Sequence, residues 1–286
     1  YCDIAPLVRA ENVRRQVCLT LEEMGIQPER SHHEQGPGQN EIDFQYAPAL
    51  VAADNLTTFK SVVKTVANLN GLFASFLPKP LAGQPGSGLH INISLFQGGR
   101  NIIETEKGVH SAISEQFIAG ILRRAPELTA FLNPLTNSYA RFGEFEAPHF
   151  VSWSHQNRSQ LVRIPAAHGD FRRMELRSPD PAASPYLAFT LLIHAGLEGI
   201  ADELTLPAPC NHDLFTAPDD VRAQYALLPH TLGEALDLAR NSTFIASIVP
   251  EALLSNYFAA KTREWETVSR ASDQKAAEDE LYFARW

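Results

Sequence analysis

Apolar residues recur at helical spacing over long stretches of the chain. The pattern predicts a helical C-terminal region over about 205–286 and, upstream of it, helices over residues 10–25, 47–71, 111–124 and 186–204. Within the C-terminal region it predicts helices at 231–240, 250–267 and 272–284, with Trp286 after the last. Gly25 and Gly71 follow the first two patterns and are typical of helix C-termini.

Between the helices, polar and apolar residues alternate as they do in half-buried strands. The alternation predicts strands over 39–46, 89–95, 150–154, 159–164 and 171–181, and a short apolar run predicts a buried strand over 72–77. A turn at 35–38 indicates that the first of these strands belongs to a hairpin. This combination of helices and strands predicts an α+β fold, in which a curved antiparallel sheet lines an active-site cavity and long helices pack behind the sheet.

The segment 171–181 is the most informative of the predicted strands. In a strand, Arg173, Glu175 and Arg177 share one face, because successive side chains point to opposite sides. Two guanidinium groups beside a carboxylate cannot be buried unpaired, since each lone charge costs several kcal/mol. This face must therefore meet water, partner charges or a ligand. Taken alone, the pattern is also that of a solvated strand with cross-strand ion pairs.

The composition excludes some classes of protein. The 286 residues carry a formal net charge of −9, whereas binders of nucleic acid or anionic membranes normally need a basic surface. No apolar run approaches the roughly 18 residues of a transmembrane helix. Cys2, Cys18 and Cys210 lie far apart and form neither a zinc motif nor a disulfide framework. We therefore expect a cytoplasmic protein that binds neither nucleic acid nor membranes.

Two sets of polar residues near the predicted strands carry candidate chemistry. One set offers carboxylate oxygens and an imidazole, donors that suit Mg²⁺ or Mn²⁺: Glu34, Glu41, His90 and Glu175. The other offers planar guanidinium groups that suit phosphate oxygens: Arg158, Arg163, Arg173 and Arg177. Phosphoryl transfer uses both sets, and the chain contains no G-x-x-x-x-G-K-[ST] loop for that purpose. If the two sets converge, the sequence favours a phosphoryl-transfer site.

Motifs spread along most of the chain resemble those of one enzyme family. They are His-His-Glu-x-x-Pro-Gly-Gln-x-Glu-Ile-Asp at 32–43, Pro-Lys-Pro at 78–80, Gly-Ser-Gly-x-His at 86–90, Asn-Pro-x-x-Asn-Ser-Tyr-x-Arg at 133–141, Glu-Ala-Pro at 146–148, Asn-Arg-Ser at 157–159, Arg-Ile-Pro at 163–165 and Arg-x-Glu-x-Arg-x-Pro-Asp-Pro at 173–181. In this order and combination they resemble the catalytic domain of type I glutamine synthetase.

The resemblance implies a glutamine synthetase/guanido kinase-like catalytic domain and a role for each matching residue. The implied metal ligands are Glu34, Glu41, His90 and Glu175. The positions implied to hold or cover the glutamate substrate are Gly86, Arg141, Glu146 and Arg177. The implied nucleotide and phosphate positions are Glu29, Ser94, Arg158, Arg163 and Arg173. Of all these, the resemblance implies direct catalytic roles for Glu146, Arg158 and Arg173.

The implied reaction joins ammonia to the γ-carboxylate of L-glutamate at the expense of ATP, with Mg²⁺ or Mn²⁺ and through a γ-glutamyl phosphate. The products are glutamine, ADP and phosphate. Residues 1–286 resemble the catalytic domain without the N-terminal β-grasp domain and the first catalytic strand of the family. We therefore expect the chain by itself to be inactive, and the full-length protein to be a homo-oligomer, a dodecamer by resemblance.

The chain departs from the family pattern around the amino-acid pocket. Pro85 stands where the family commonly has Asn, Asn92 where it has His or Gln, and the segment 141–146 is one residue shorter. These changes leave open a ligase that joins glutamate to a larger amine. A non-catalytic structural or regulatory relative is a further alternative, although retention of all four metal-ligand positions argues against it.

Overall fold

The computed structural model describes residues 1–4, 8, 10–104, 109–167 and 169–285. Its helices are α1 (Glu11–Glu23), α2 (Ala49–Leu69), α3 (Ala112–Leu132), α4 (Pro185–Ala201), α5 (Asp219–Arg222), α6 (Leu232–Arg240), α7 (Thr243–Ile248), α8 (Glu251–Ser269) and α9 (Gln274–Glu278). Short 3-10 helices cover Thr136–Arg141 and Gly169–Phe171, and a π-helical turn covers Asp279–Phe283. The predicted position of Trp286 lies outside the described residues.

The strands form three small sheets. A hairpin pairs β1 (Pro28–His33) with β2 (Asn40–Phe44), and a second ribbon pairs β4 (Phe96–Gln97) with β5 (Arg100–Asn101). The four-stranded sheet has the order β3 (Ile91–Ile93), β8 (Met174–Leu176), β7 (Val162–Ile164) and β6 (Trp153–His155). Its β3–β8 and β7–β8 pairs are antiparallel, whereas β6 and β7 are parallel, so the sheet is mixed. Long helices with small sheets confirm the predicted α+β fold, whereas the parallel β6–β7 pair departs from the predicted antiparallel sheet.

Burial explains the largest difference between predicted and observed helices. The pattern at 111–124 stops before Pro126, yet α3 continues through this proline to Leu132. Pro126 removes one backbone hydrogen bond, but Leu128 and Phe131 beyond it are almost fully buried. The apolar surface that this last part of the helix buries offsets the lost bond. The helix begins where the Ser111 side chain accepts a hydrogen bond from the Ser114 amide.

The strand predicted at 72–77 is wrong, because the structure has no strand there. Phe73 in this segment is exposed and stacks on Phe283, so the apolar run packs against the end of the chain and not within a sheet. Sequence analysis also missed α5 and α7, which are short helices of four and six residues. The strands at 150–154, 159–164 and 171–181 are shorter in the structure than the predicted segments.

The main core lies between the four-stranded sheet and the helices behind it. The buried side chains come from the sheet (for example Val162, Met174 and Leu176) and from α3, α4, α6 and α8. A separate small core holds the hairpin against α1 and α2, through Val17, Leu21 and Val66 among others. The sheet and the hairpin are therefore stabilised by separate hydrophobic cores. Within the described residues, no helix combines the length and the apolar character needed to cross a membrane.

Helices α3 and α4 approach each other closely because glycines line their contact. A Cβ added at Gly199 would lie 2.7 Å from the Gly120 nitrogen and closer still to the Gln116 carbonyl oxygen. Real Cβ atoms do not come so near backbone atoms, and a backbone cannot move aside as a flexible side chain does. Only glycine permits this spacing.

We expect Gly199→Ala to destabilise the fold by about 2–3 kcal/mol, because the added methyl group forces the two helices apart. Urea unfolding would measure the loss. The control is Leu197→Ala on the same helix, where the side chain is 51% exposed and the expected change is below about 1 kcal/mol. An unchanged free energy of unfolding for Gly199→Ala would contradict this account of the packing.

Candidate active site

Strand β8 places Glu175 at the centre of the four-stranded sheet. The residue lies opposite Asn92 of β3 on one side and Arg163 of β7 on the other. Directly opposed residues share one face of a sheet, which we call the site face. The neighbours Met174 and Leu176 point the other way and are 1% exposed in the core. Strand alternation thus separates the charged face from the apolar one.

Two arginines bind the Glu175 carboxylate. Arg163 Nη1 lies 3.1 Å from Oε2, and Arg177 Nη1 contacts Oε1. The side chains of Glu175 and Arg177 are 8% and 3% exposed, so this contact is an almost buried ion pair. One carboxylate cannot neutralise two guanidinium groups. The Arg163 Nε, moreover, is buried and has no hydrogen-bond partner in the protein.

His90 lies beside the same carboxylate, with its Nδ1 3.9 Å from Glu175 Oε1. Although 36% of its side-chain surface is exposed, the surrounding protein encloses the imidazole and lowers its pKa well below the usual range. Four positive charges contribute to the same shift: Arg177, Arg141, Arg163 and Arg158. The neutral imidazole therefore keeps a lone pair. These contributions also show that four guanidinium groups lie near His90 on the site face.

Arg141 packs against the glycine-rich loop, residues 83–88. It ends the 3-10 helix Thr136–Arg141, is 4% exposed, and donates from Nη1 to the carbonyl oxygen of Ser178 at 3.0 Å. Burial lowers its pKa. A Cβ on Gly86 would lie 2.7 Å from Arg141 Cγ and even closer to the carbonyl oxygen of Pro78. Glycine at position 86 therefore lets the loop lie directly on the arginine.

Residues 142–147, which we call the flap, bring Glu146 to the same place. Glu146 has φ +65° and lies 3.1 Å from Arg158 Nη1 through its Oε2. The same oxygen is 4.0 Å from Arg177 Nη2. The Glu146 carboxylate also raises the pKa of Arg158. The flap thus extends from the buried Arg141 to the more exposed Arg158.

The hairpin carries a second cluster of candidate ligands. One donor atom from each of His32, Glu34 and Glu41 lies within 4.8 Å of the other two. Strands β1 and β2 produce this cluster because His32 lies directly opposite Glu41. Burial raises the pKa of Glu41 to about 8, with further contributions from the carboxylates of Asp43 and Glu34. Without a cation, these carboxylates repel one another.

The hairpin and the sheet meet at the glycine-rich loop. The Gln39 amide nitrogen donates to the carbonyl oxygen of Gly86 at 2.9 Å. The Tyr1 ring packs edge-on against His32, and the pKa of its hydroxyl is raised, first by burial and also by Glu34, while Arg158 opposes this shift. Tyr1 is therefore within electrostatic reach of both the acidic hairpin and the arginines.

For three further residues, the structure gives local contacts but identifies no nucleotide role. Glu29 is exposed and lies at the irregularity in the β1–β2 pairing between Pro28 and Arg30. Ser94 donates to the carbonyl oxygen of Arg172 at 2.9 Å, and Arg173 donates to the Asn92 side chain at 3.0 Å. The nucleotide roles that the resemblance implies for these three residues remain predictions.

Sequence analysis missed His32. The signal was present, because His32 and Glu34 are two residues apart and share a strand face with each other. By contrast, the four predicted ligands fall into two pairs in the structure: Glu34 with Glu41 on the hairpin, and His90 with Glu175 on the sheet. Among the described residues, no group of three or more metal-donor side chains combines the two pairs.

The sequence model for the catalytic domain of glutamine synthetase matches residues 1–279. The chain belongs to the glutamine synthetase family. Its sequence is 46% identical over 272 residues to glutamine synthetase of Methanosarcina mazei and 44% identical over 271 residues to that of Clostridium saccharobutylicum. Each match covers 93% of this chain and 61% of the relative, so the chain spans less than two thirds of these glutamine synthetases.

Solved structures show the same fold. A complex of GmaS with ADP aligns over 99% of this chain and 66% of its own, with a TM-score of 0.86 and 31% identity. A glutamine synthetase from Plasmodium falciparum, solved by electron cryomicroscopy, aligns over 99% of this chain and 63% of its own, with a TM-score of 0.85 and 26% identity. These likenesses confirm the fold class that the sequence predicted.

The residues of this glutamine synthetase catalytic domain fit a divalent metal at the hairpin. Two carboxylates and an imidazole are suitable donors for Mn²⁺ or Mg²⁺. Burial, and after it the nearby carboxylates of Asp43 and Glu34, raises the pKa of Glu41, and a bound cation would favour its ionised form. On the sheet, His90 offers a neutral imidazole, but both oxygens of Glu175 contact arginines. The hairpin therefore fits the cation more directly than the sheet does.

We expect the stability of the metal-free protein to fall as the pH rises from 5 to 8, because the folded state raises the pKa of Glu41 from 4.5 to about 8. This contribution is complete below the unfolded pKa and is lost as the pH rises through the folded one. Glu41→Gln should remove about 1–2 kcal/mol of the pH dependence, a figure reduced because Glu41 is partly open to solvent. Urea unfolding in a chelator measures it.

Glu22→Gln on the exposed side of α1 is the control and should leave the pH dependence unchanged. Mn²⁺ should restore stability at pH 8 in the unmodified protein and do so less in Glu41→Gln, because the variant lacks one anionic ligand. If the stability of the unmodified protein and that of Glu41→Gln depend equally on pH, the pH dependence does not come from Glu41.

Proposed function

We propose that the protein catalyses the ATP-dependent ligation of ammonia to the γ-carboxylate of L-glutamate, with glutamine, ADP and phosphate as products. Membership in the glutamine synthetase family and 46% identity to a named glutamine synthetase support the reaction class. The cofactors in this proposal are ATP and Mg²⁺ or Mn²⁺. The relatives are longer than this chain, and the proposal concerns the protein at the length that its gene encodes.

The observation that carries the proposal is the excess of positive charge on the site face. Four arginines act on His90. Among the described carboxylates, Glu175 and the flap residue Glu146 lie within 4.0 Å of members of this group, and Asp180 interacts with Arg141 from farther away. An anion in this place would offset the positive charge of these arginines. Phosphate and carboxylate groups both fit, because guanidinium binds either through charge-assisted hydrogen bonds.

In the proposed reaction, a γ-carboxylate oxygen of glutamate attacks the terminal phosphorus of ATP, and the bond from that phosphorus to the ADP oxygen breaks. Negative charge accumulates on the transferring phosphoryl oxygens. Arg158 and Arg163 would stabilise this charge from fixed positions, which lowers the barrier without reorganisation of solvent. Arg173 would assist only after its side chain leaves Asn92. Glu29 and Ser94 remain proposed nucleotide contacts.

The second half of the reaction is the attack of ammonia on the acyl phosphate. Its nitrogen bonds to the carbonyl carbon, phosphate leaves with the bonding electrons, and the nitrogen loses a proton. In this proposal the Glu146 carboxylate would accept that proton, and its flap would keep water from the acyl phosphate. Arg141, Arg177 and Gly86 would hold the glutamate beneath the flap.

A bound divalent ion would supply a positive charge that neutralises the phosphates. His32, Glu34 and Glu41 would hold one ion on the hairpin. His90 and Glu175 would contribute to a second, together with carboxylates that the 286-residue chain does not supply in the described structure. For this reason the proposal retains the expectation that the chain alone is inactive.

A ligase for a larger amine is the second candidate. Pro85 precedes Gly86 in the glycine-rich loop, and Asn92 is held by Arg173 at 3.0 Å. These are two of the positions at which the chain departs from the family pattern. Pro85 adjoins Gly86, which is proposed to bind the amino acid, and Asn92 lies opposite Glu175 in the sheet. Comparing turnover with ammonia and with methylamine or longer amines separates the candidates, because the preferred amine gives the higher kcat/KM.

We also propose that the full-length protein is a homo-oligomer in the cytoplasm, a dodecamer by analogy with its family. Sedimentation of the purified protein tests the assembly. A full-length protein that sediments only as a monomer would contradict this proposal.

We expect Arg163→Met to lower kcat by about 10²-fold, because it removes a fixed positive charge from the developing negative charge. Arg123→Met is the matched control. Arg123 on α3 pairs with Glu198 of α4 and with Asp202 just after α4, away from the site face. Its loss should change kcat less than twofold. Turnover would be followed as amide formed and as phosphate released. If the unmodified full-length protein forms no amide and binds neither Mn²⁺ nor an ATP analogue, the enzyme proposal fails.

A further inference from the structure

Lys79 is a buried cation that the proposed reaction does not use. It is 6% exposed and lies in the Pro-Lys-Pro segment at 78–80, just before the glycine-rich loop. Its ammonium group is directed at the flap. Nζ lies 3.1 Å from Glu144 Oε2 and 4.7 Å from the centroid of the Phe145 ring. A single side chain therefore contacts the two residues that precede Glu146, one by charge and one by a cation–π interaction.

The backbone of Lys79 is fixed on both sides. Its amide donates to Asn137 Oδ1 at 2.6 Å, and Asn137 Nδ2 donates back to the Lys79 carbonyl oxygen at 3.1 Å. Asn137 Nδ2 also donates to Glu278 Oε2 at 3.0 Å. The preceding residue, Pro78, accepts a hydrogen bond from the Ser87 amide at 2.8 Å. The ammonium group thus projects from a backbone that is held directly to two other segments and, through Asn137, to a third.

The flap, in contrast, adopts an unfavourable backbone conformation. Gly143, Phe145 and Glu146 all have positive φ, and two of the three carry a Cβ that disfavours this region. Two backbone hydrogen bonds of 2.9 Å, between Gly143 and Ala147 and between Ala147 and Glu144, close the turn. Such a conformation persists only where surrounding contacts determine it. Lys79 provides such contacts from outside the flap.

We infer that Lys79 is a positioning residue, which holds the flap through Glu144 and Phe145 so that Glu146 stays beside Arg158 and Arg177. The inference rests on the proposed function, in which the flap covers the acyl phosphate. Lys79 itself touches neither reacting group. Its loss should therefore loosen the cover over the intermediate and leave nucleotide binding intact.

The first test needs no turnover. In Lys79→Met, which keeps the length of the side chain but removes its charge, we expect the Gly143 and Ala147 amides to exchange hydrogen about tenfold faster than in the unmodified protein. Hydrogen exchange with fragment-level or residue-level readout measures this. Lys261→Met is the matched control, because Lys261 is also largely buried and pairs with Glu264 at 2.9 Å, but on α8. It should leave exchange in the flap unchanged.

The second test uses the protein at the length that its gene encodes. We expect Lys79→Met to lower kcat about tenfold with less than a twofold change in the KM for ATP, and to raise the phosphate released per amide formed above one. Lys79→Arg should recover part of both effects, because it restores the positive charge. If Lys79→Met does not fold, the double variant Glu144→Gln, Phe145→Leu removes the same contacts from the more exposed side and should give the same two results.

Two outcomes would overturn the inference. One is flap exchange that is unchanged in Lys79→Met and in the double variant. The other is a rise in the KM for ATP as large as the fall in kcat, without any excess phosphate. Absence of amide formation in the unmodified protein would instead remove the proposed function. In that case the exchange measurement still decides whether Lys79 holds the flap.

Discussion

The site depends on one buried carboxylate that holds two arginines. Glu175 lies in the central strand, and its neighbours on both sides are fixed by sheet pairing, so its position is set by the backbone. Because Arg177 is 3% exposed, removing the carboxylate would leave a buried charge unpaired, at a cost of about 3–5 kcal/mol. The core on the opposite face of the sheet, with Met174 and Leu176, prevents the strand from shifting to relieve it. The packing of this strand against the core thereby fixes the position of the Glu175 charge.

The described groups around Glu175 include fewer anions than cations. Glu146 offsets part of the excess, but it does so from a flap with positive φ at three residues and with a solvent-accessible side chain. Part of the neutralisation is therefore movable and part is fixed. A substrate anion entering this region competes with Glu146 for Arg158 and Arg177, while Glu175 keeps Arg163 and Arg177 in place. This division connects the binding of an anion to the position of the flap.

Sequence alone reached the fold class and the charged strand face, because both follow from short-range periodicity. Strand alternation correctly separated Glu175 from Met174 and Leu176. It did not reveal that α3 passes through Pro126, since the burial that offsets the lost hydrogen bond depends on distant parts of the chain. The role of Lys79 was equally inaccessible: its contacts with Glu144 and Phe145 join segments more than 60 residues apart. The division of the metal-ligand positions into two pairs likewise required the three-dimensional arrangement.

The two parts of the site carry opposite charge. On the hairpin, burial and neighbouring carboxylates raise the pKa of Glu41 to about 8, while on the sheet four arginines act on His90. Each part alone is electrostatically unfavourable, and each rests on a separate core. A ligand that joins a cation to an anion, as a metal–nucleotide complex does, relieves both at once. The Gln39 contact with Gly86 places the hairpin beside the sheet, so such a ligand would bridge the two parts and stabilise the assembled site.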